Sequence, residues 1–472
     1  MLRQGLPHRF VAQAVRVRLL TCRNEPGAIC RQKNGMWPYH PELLSTPVPR
    51  YTSFPTAAEF GTGIDEADLE AALITAAGDL SLYVHIPFCE TICWYCGCNT
   101  GRANKRQRLA SYLDALHSEI ALVGSRLPPG ARVRRIAFGG GSPNAIMPTD
   151  FVRLMLALTQ AFPLADPEIS VELDPRTLDR DRTGVLGRVG VTRASLGVQT
   201  FDPAAQAAIG RVQPDHLIEQ CTLLLREAGV TSLNYDLMYG LPGQDEAVLE
   251  ATLAQASALG ADRVALFGYA HVPHLIARQQ RIDAAALPGQ AERFAMAAFG
   301  HDWLVDAGYV PVGFDHFALP GDPLAQAVRS GRLRRNFQGF TDDQAPILIG
   351  LGASAISSFP GILVQNQKNA GRYRMLLSQN RLPVERGLRR SDDDRRRGAV
   401  IEGVLCQGRA RLDVQLLREV AHDLVRFVEV GLATLSDDTL VVTPAGLPYA
   451  RTIAALFDPY RQQEARRFSS AV

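Results

Sequence analysis

Between residues 81 and 270 short apolar runs of β type alternate with stretches of helical period. The spacing predicts strands over 81–87, 134–139, 168–173, 192–198, 231–238 and 262–268. It predicts helices over 106–123, 149–161, 177–189, 203–209, 214–228 and 246–259. In FVRLMLALTQAF (151–162), for example, the apolar residues form one broad helical stripe. Several strand ends run into Gly or Pro, a strand-to-helix turn signal. Six such steps imply a parallel sheet covered by helices. Residues able to carry chemistry sit at the carboxyl ends of all six strands. A flat doubly wound sheet gathers function at its switch point, whereas a curved sheet brings every carboxyl end to one site. The expected fold is therefore α/β, a curved partial (β/α)6 barrel over 81–270.

The flanking regions differ. Residues 36–80 are expected to pack on the barrel. Residues 271–386 mix extended and loop patterns, such as GYVPVGFDHFAL, and are expected to close the barrel mouth and form the substrate region. The polar run GLRRSDDDRRR (387–397) marks a linker or a helix start. Helical runs, the β-type pieces LATL and TLVV, and a last turn and helix then suggest a smaller, mostly helical, winged-helix-like domain over 387–472.

Composition changes this picture little. The chain has 472 residues, 46% hydrophobic and 21% charged, enough for one large core and a smaller one. No apolar run approaches the ~18 residues of a membrane span. Net charge is +2, unevenly placed. Residues 1–35 carry Arg3, Arg9, Arg16, Arg18, Arg23, Arg31 and Lys33 against Glu25, and read as a disordered extension or as sequence upstream of a true start at Met36. The remainder is mildly acidic and shows no basic recognition helix, so a nucleic-acid partner is not expected.

Four of the eight cysteines, Cys89, Cys93, Cys96 and Cys98, fall in YVHIPFCETICWYCGCNT (83–100). One tight cluster in a large chain reads as a metal site in a reducing cytoplasm rather than a disulfide scaffold. Cys221 and Cys406 sit in helix-like runs as small buried hydrophobes. Thiolates suit zinc or iron–sulfur clusters, and a [4Fe–4S] cluster ordinarily takes four. Three ligands, Cys89, Cys93 and Cys96, would leave one iron open to a cofactor. Cys98, one residue beyond Gly97, would need a strained turn to join the same cube, so it is expected to line the site. Phe88, Trp94 and Tyr95 would flank the thiolates with apolar bulk. A structural zinc site and a redox Cys93/Cys96 pair stand as alternatives. His85, His271 and His316 lie in different elements without ligand spacing and are expected to pack or hydrogen-bond.

The C-x3-C-x2-C triplet resembles the radical S-adenosylmethionine superfamily. The wider pattern is similar to bacterial oxygen-independent coproporphyrinogen III oxidases. It includes PRYTSFPTA (49–57), the cysteine segment, GGGSP (139–143), ELDPR (172–176), SLGVQTFD (195–202), NYDLMYGLPGQ (234–244), FGYAHVP (267–273), GFDHFALP (313–320), RRNFQGF (334–340), LGASAIS (351–357) and QNQK (365–368). The resemblance spans about residues 49–470. Ser142 stands where threonine is common, and keeps the hydroxyl. Related heme chaperones usually carry Phe at Cys98 and lack the PRYTSFP-type segment; relatives in anaerobic heme degradation are expected to diverge in the later loops.

The resemblance implies a radical SAM barrel, a three-cysteine [4Fe–4S] cluster and two molecules of S-adenosylmethionine. Gly139, Gly140 and Gly141 would hold the methionyl amine. Tyr83 would stack near the first cofactor, with Glu172, Gln199, Arg211 and Asp236 lining the cofactor sites. Phe337, Gln338 and Ile356, with Ala270 close by, would form the second pocket. Tyr83, Cys98 and Gln338 are the catalytic candidates. A 5′-deoxyadenosyl radical would take a β hydrogen from a substrate propionate, which would lose carbon dioxide and an electron to become vinyl. The implied partners are coproporphyrinogen III, an electron donor and a final electron acceptor, with the chain a cytoplasmic monomer. Arg50 and the Arg332/Arg334/Arg335 group are candidates for the substrate carboxylates. A heme carrier and a zinc-stabilised module remain the rival readings.

Overall fold

The computed structural model describes residues 37–103 and 106–463; the basic extension over 1–35 and Met36 lie outside them. Six strands pair in parallel in chain order: β1 (Gly78–Ile86), β2 (Ala131–Gly140), β3 (Leu164–Leu173), β4 (Val191–Gln199), β5 (Ser232–Tyr239) and β6 (Arg263–Gly268). Between them run α1 (Arg106–Gly124), α2 (Pro148–Ala161), α3 (Arg180–Arg188), α4 (Pro203–Ala208), α5 (Asp215–Glu227) and α6 (Glu246–Ala258). The hydrophobic period that predicts α2 also seats it. Phe151, Leu154, Met155 and Leu158 are buried on one helical face, and the Phe151 ring lies 4.9 Å from that of Phe138 on β2.

Between the bulges that interrupt these strands the side chains alternate. Leu80, Leu82, Val84 and Ile86 of β1 are wholly buried in the main apolar core with the helices, while Ser81, Tyr83 and His85 take the other face. Ile169, Val171 and Leu173 of β3 join that core; Glu168, Ser170 and Glu172 oppose them. One cavity of about 370 Å³ is lined by Ser81, Arg135, Glu168, Arg193, Asn234 and Arg263, from all six strands. Six flat strands at ~4.8 Å spacing would span about 24 Å. A single cavity reaching from β1 to β6 therefore requires the sheet to curl around a polar axis.

Residues 271–386 extend this sheet at both edges. β7 (Val310–Val312) and β8 (His316–Ala318) add antiparallel strands beyond β6. β9 (Ile347–Leu351) pairs parallel with β1, and β10 (Ile356–Ser358), β11 (Ile362–Asn366) and β12 (Val384–Arg389) follow antiparallel. The result is a sheet of twelve strands. The loop before β9 enters the barrel from the strand N-terminal side. There Asp342 meets Arg135 at 2.8 Å and Arg193 at 3.1 Å, and Asp343 accepts from Ser81 Oγ at 2.5 Å. Burial opposes ionisation of Asp342, but the two arginines hold its carboxyl well below the usual range.

The helix α7 (Gln290–Asp306) leads toward the C-terminal part. The polar run 387–397 proves to be a helix start. Ser391 caps α8 (Asp392–Gln407), exchanging hydrogen bonds with Asp394 at 3.0 and 2.9 Å. α9 (Val414–Glu429), α10 (Ala450–Ala454) and a three-stranded sheet complete the helix-rich part. Trp37, Leu44, Tyr51 and Phe54 share one apolar cluster with Val400, Leu416 and Phe427. The first part of the segment ahead of the barrel, Trp37 to Phe54, is thus packed on the C-terminal helices, whereas Ile64, Leu69, Leu73 and Ala76 join the barrel core. Among the described residues no helix is long and apolar enough to cross a membrane.

Glu119 of α1 ties the first strand's surroundings together. Its carboxylate accepts from Gly352 N, Asn366 Nδ2 and Tyr373 Oη, each at 2.6 Å. Only 1% of it is exposed, and burial pushes its pKa up to about 7. A raised carboxyl pKa means that the folded state binds the proton more tightly than the unfolded chain, so this group favours folding at low pH and the contribution is lost as pH rises from about 4.5 through 7. Glu119→Gln is expected to remove roughly 3 kcal/mol of that pH dependence, read as the wild-type-minus-variant difference in urea unfolding between pH 4.5 and 7.5.

Candidate active site

The cysteine loop leaves the end of β1 and is pinned at several points. Ala103 N donates to Cys89 O at 2.9 Å, Ser142 N to Phe88 O at 2.8 Å and Trp94 N to Ile209 O at 3.1 Å. Trp94 lies against Gly210, where a Cβ would come within 2.6 Å of the indole, so only glycine admits the ring. Trp94 and Tyr95 pack on Ile209, Met238, Leu241 and Tyr269. Phe88 instead turns into the main core, 5.2 Å from the Tyr112 ring. It shares a short strand with Cys89, and neighbours on a strand point to opposite sides.

Cys89, Cys93, Cys96 and Cys98 edge a cavity of about 650 Å³ whose walls also include Gly140, Glu172, Gln199, Asp236 and Ala270. Among the described residues no three His, Cys, Asp or Glu side chains converge closely enough for a single metal ion; the thiols rim a space rather than meet at a point. Burial drives the Cys89 thiol up to about 12. Cys96 is brought down to about 6, chiefly by a hydrogen bond from the Cys98 thiol, whose backbone amide also donates to Cys96 Sγ at 3.4 Å. Cys98 sits exposed at the rim beside Cys96.

Two guanidiniums cover Cys93. Arg176 Nη2 lies 3.3 Å and Arg211 Nη1 3.2 Å from its Sγ. Asp174 holds both, at 2.6 Å to Arg176 and 3.3 Å to Arg211, and Gly197 O accepts from Arg211 Nη2 at 2.6 Å. Arg211 thus forks onto a protein carboxylate and a thiol. Asp174 and Arg176 escaped the residue-by-residue reading, although an acid and a base two apart at a strand end, in ELDPR, were a signal.

The remaining predicted residues distribute as follows. Glu172 faces the cavity and accepts from Gly140 N at 3.1 Å; desolvation pushes its carboxyl up to about 7. Asp236, also raised by burial, accepts from Ser195 Oγ at 2.9 Å and Asn234 Nδ2 at 2.8 Å. Gln199 ends β4 with φ of 69°, a strained backbone typical of functional sites. Gly140, at φ 110°, abuts the His85 ring, where a Cβ would approach within 2.4 Å. Tyr83 Oη pairs with His85 Nδ1 at 3.1 Å. Gln338 lines the 370 Å³ axial cavity, which shares Glu172, Ser195, Asp236 and Phe267 with the cysteine cavity. Phe337 lines a separate cleft beside Tyr51, and Ile356 lies on β10 against Gly350; neither reaches the cysteine cavity wall. Among the three histidines, His271 meets Tyr269 Oη at 2.9 Å and His316 meets Asp315 at 2.6 Å.

Three thiols at the carboxyl edge of a polar-lined parallel barrel define the radical SAM class, and the Radical SAM superfamily model matches residues 83–256. An oxygen-independent coproporphyrinogen III oxidase of Cereibacter sphaeroides is 40% identical over 90% of this chain and 96% of its own length. The Escherichia coli protein of that name is 37% identical over 89% and 94%. The solved Escherichia coli coproporphyrinogen III oxidase, described as a radical SAM enzyme, superposes with a TM-score of 0.84 at 35% identity, covering 90% of this chain and all of that one. The chain belongs to the oxygen-independent coproporphyrinogen III oxidase family. The carrier and zinc-module readings therefore fall away.

The residues fit the group this family uses. Cys89, Cys93 and Cys96 would hold a [4Fe–4S] cluster by one thiolate to each of three irons, and Glu172, Gln199 and Asp236 on the same cavity wall would offer oxygens to ribose hydroxyls or an amine of the cofactor. Cys89→Ser is expected to lose the cluster's visible absorbance and iron content after anaerobic reconstitution, whereas Cys98→Ala retains both. Arg211→Gln removes positive charge beside Cys93, which should lower the cluster's reduction potential in a spectroelectrochemical titration.

Proposed function

We propose that this chain converts two propionate side chains of coproporphyrinogen III into vinyl groups, giving protoporphyrinogen IX without oxygen in heme biosynthesis. The observation that carries the reading is the cysteine-edged cavity, into which the carboxyl ends of β3, β4 and β5 deliver Glu172, Ser195, Gln199 and Asp236. When bound, the cluster and S-adenosylmethionine supply an electron and a 5′-deoxyadenosyl radical. Each propionate gives up a β hydrogen atom, then carbon dioxide and one electron.

The chain's own residues bind and orient. Cys89, Cys93 and Cys96 hold the cluster; Arg176 and Arg211 disperse the negative charge at Cys93. Glu172 and Asp236 accept from the cofactor, and the amide of Gly140 is already given to Glu172, which fixes that carboxylate. Trp94, Tyr95 and Tyr269 shield the loop from water and oxygen. Tyr83 and His85 form a hydrogen-bonded pair behind Gly140. A second S-adenosylmethionine is part of this proposal. The axial cavity at Gln338 joins the first through Asp236 and Phe267, and Ala270 stands on the wall of the first. Phe337 lines a separate cleft and Ile356 lies on β10, so neither is assigned to this second pocket. An electron donor, a final acceptor, a monomeric state and a cytoplasmic site complete the reading; free buried Cys221 and Cys406 suit a reducing compartment.

Anaerobically reconstituted protein, given coproporphyrinogen III, S-adenosylmethionine and a reductant, is expected to yield vinyl product with 5′-deoxyadenosine and methionine. Cys89→Ser should yield none. Product without 5′-deoxyadenosine would reject the radical route.

A further inference from the structure

Beside the cysteine cavity lies a chamber of about 60 Å³ walled by Trp37, Tyr239 and Phe314 and by the guanidiniums of Arg50, Arg293 and Arg451. The three cations come from distant stretches: the segment before β1, α7 and α10. Among the described residues one carboxylate faces the same space, Asp315, and His316 Nδ1 engages it at 2.6 Å. Burial opposes its ionisation, but the pairing with His316 and the charges of Arg335 and Arg50 hold Asp315 down at about 2. Arg335 approaches from behind. Its Cζ lies 5.1 Å from the Phe314 ring centroid, which Arg451 approaches at 5.4 Å. Burial first, then the charge of Arg50, draws Arg451 down to about 10.

Arg293 sits in a notch cut by two glycines. A Cβ on Gly240 would come within 3.1 Å of its Nε and one on Gly268 within 3.3 Å of its Nη2. That Nε is buried without a hydrogen-bond acceptor. A buried N–H left unmet is costly, and a carboxylate is the group that best relieves it. The chamber admits a carboxylate on a short arm but not a ring. It shares Arg50, Gly268 and Ala270 with the cysteine cavity, so an arm entering it belongs to a molecule lying in that cavity.

We propose that Arg50, Arg293 and Arg451 form an anchoring subsite for a carboxylate arm of the tetrapyrrole, holding a propionate that is not reacting while another faces the radical centre. The inference rests on the substrate reading above and assigns positioning roles to Arg293 and Arg451, which lie outside the cysteine cavity, and to Arg50, which borders both spaces. The test is fluorescence titration of cluster-loaded protein with coproporphyrin III and, separately, with its tetramethyl ester. Arg451→Gln and Arg50→Gln are each expected to weaken binding of the acid by roughly tenfold or more and to leave ester binding unchanged. Arg50 is exposed, so its variant keeps the test decisive if Arg451→Gln fails to fold. Wild-type affinity for the acid in the folded variants, or equal weakening of acid and ester, would overturn the subsite. Wild-type protein that binds coproporphyrin III carboxylate-dependently yet makes no vinyl product would sink the decarboxylation reading and leave the subsite standing.

Discussion

The alternation of the six parallel strands is the constraint on which everything else depends. Each strand turns its apolar residues outward against helices and its polar residues inward toward the axis. Leu80, Leu82, Val84 and Ile86 lie in the core, while Ser81, Arg135, Glu168, Arg193 and Asn234 line an axial cavity. A barrel with such an interior cannot be filled by apolar side chains and so keeps room for ligands. At the strand N-terminal side the space is stoppered by ion pairs from Asp342 to Arg135 and Arg193. At the carboxyl side it opens onto the cysteines.

At that open end electrostatics are arranged around one thiol. Asp174 braces Arg176 and Arg211, and both arginines reach Cys93 Sγ. An iron–sulfur cluster with three thiolates carries negative charge, and two fixed guanidiniums stabilise it without being reorganised on reduction. The neighbouring carboxylates Glu172 and Asp236 have raised pKa values because the wall desolvates them. Desolvation alone favours their protonated form, and a cationic group bound beside them would offset that cost and favour the carboxylates.

The second charged region is built quite differently. Arg50, Arg293 and Arg451 stand on elements spread over 400 residues of chain. They meet because the segment beginning at Trp37 packs on the C-terminal helices, folding both ends of the described chain over the β6 side of the barrel. Aromatic faces back two of them: Arg50 lies over the Phe267 ring, and Arg451, with the neighbouring Arg335, over Phe314.

What the chain alone determined is local. A hydrophobic period of two or 3.6 residues is written in consecutive residues, so the strands, the helices and the cysteine-rich loop could be read directly. Spacing alone left iron–sulfur, zinc and dithiol chemistry open; the cluster family, and Glu172, Gln199 and Asp236 as site residues, came from the resemblance of short local motifs. Contacts between residues far apart in sequence leave no such period. Nothing local joins Arg211 to Cys93, places Asp342 inside the barrel, or sets β9 beside β1. Likewise Phe337 and Ile356, grouped by resemblance, face different spaces, and Arg293 and Arg451 look like ordinary helix residues until burial and a missing carboxylate partner at Arg293 give them a purpose. Those assignments belong to the tertiary structure, because charge and packing act through space and are indifferent to position along the chain.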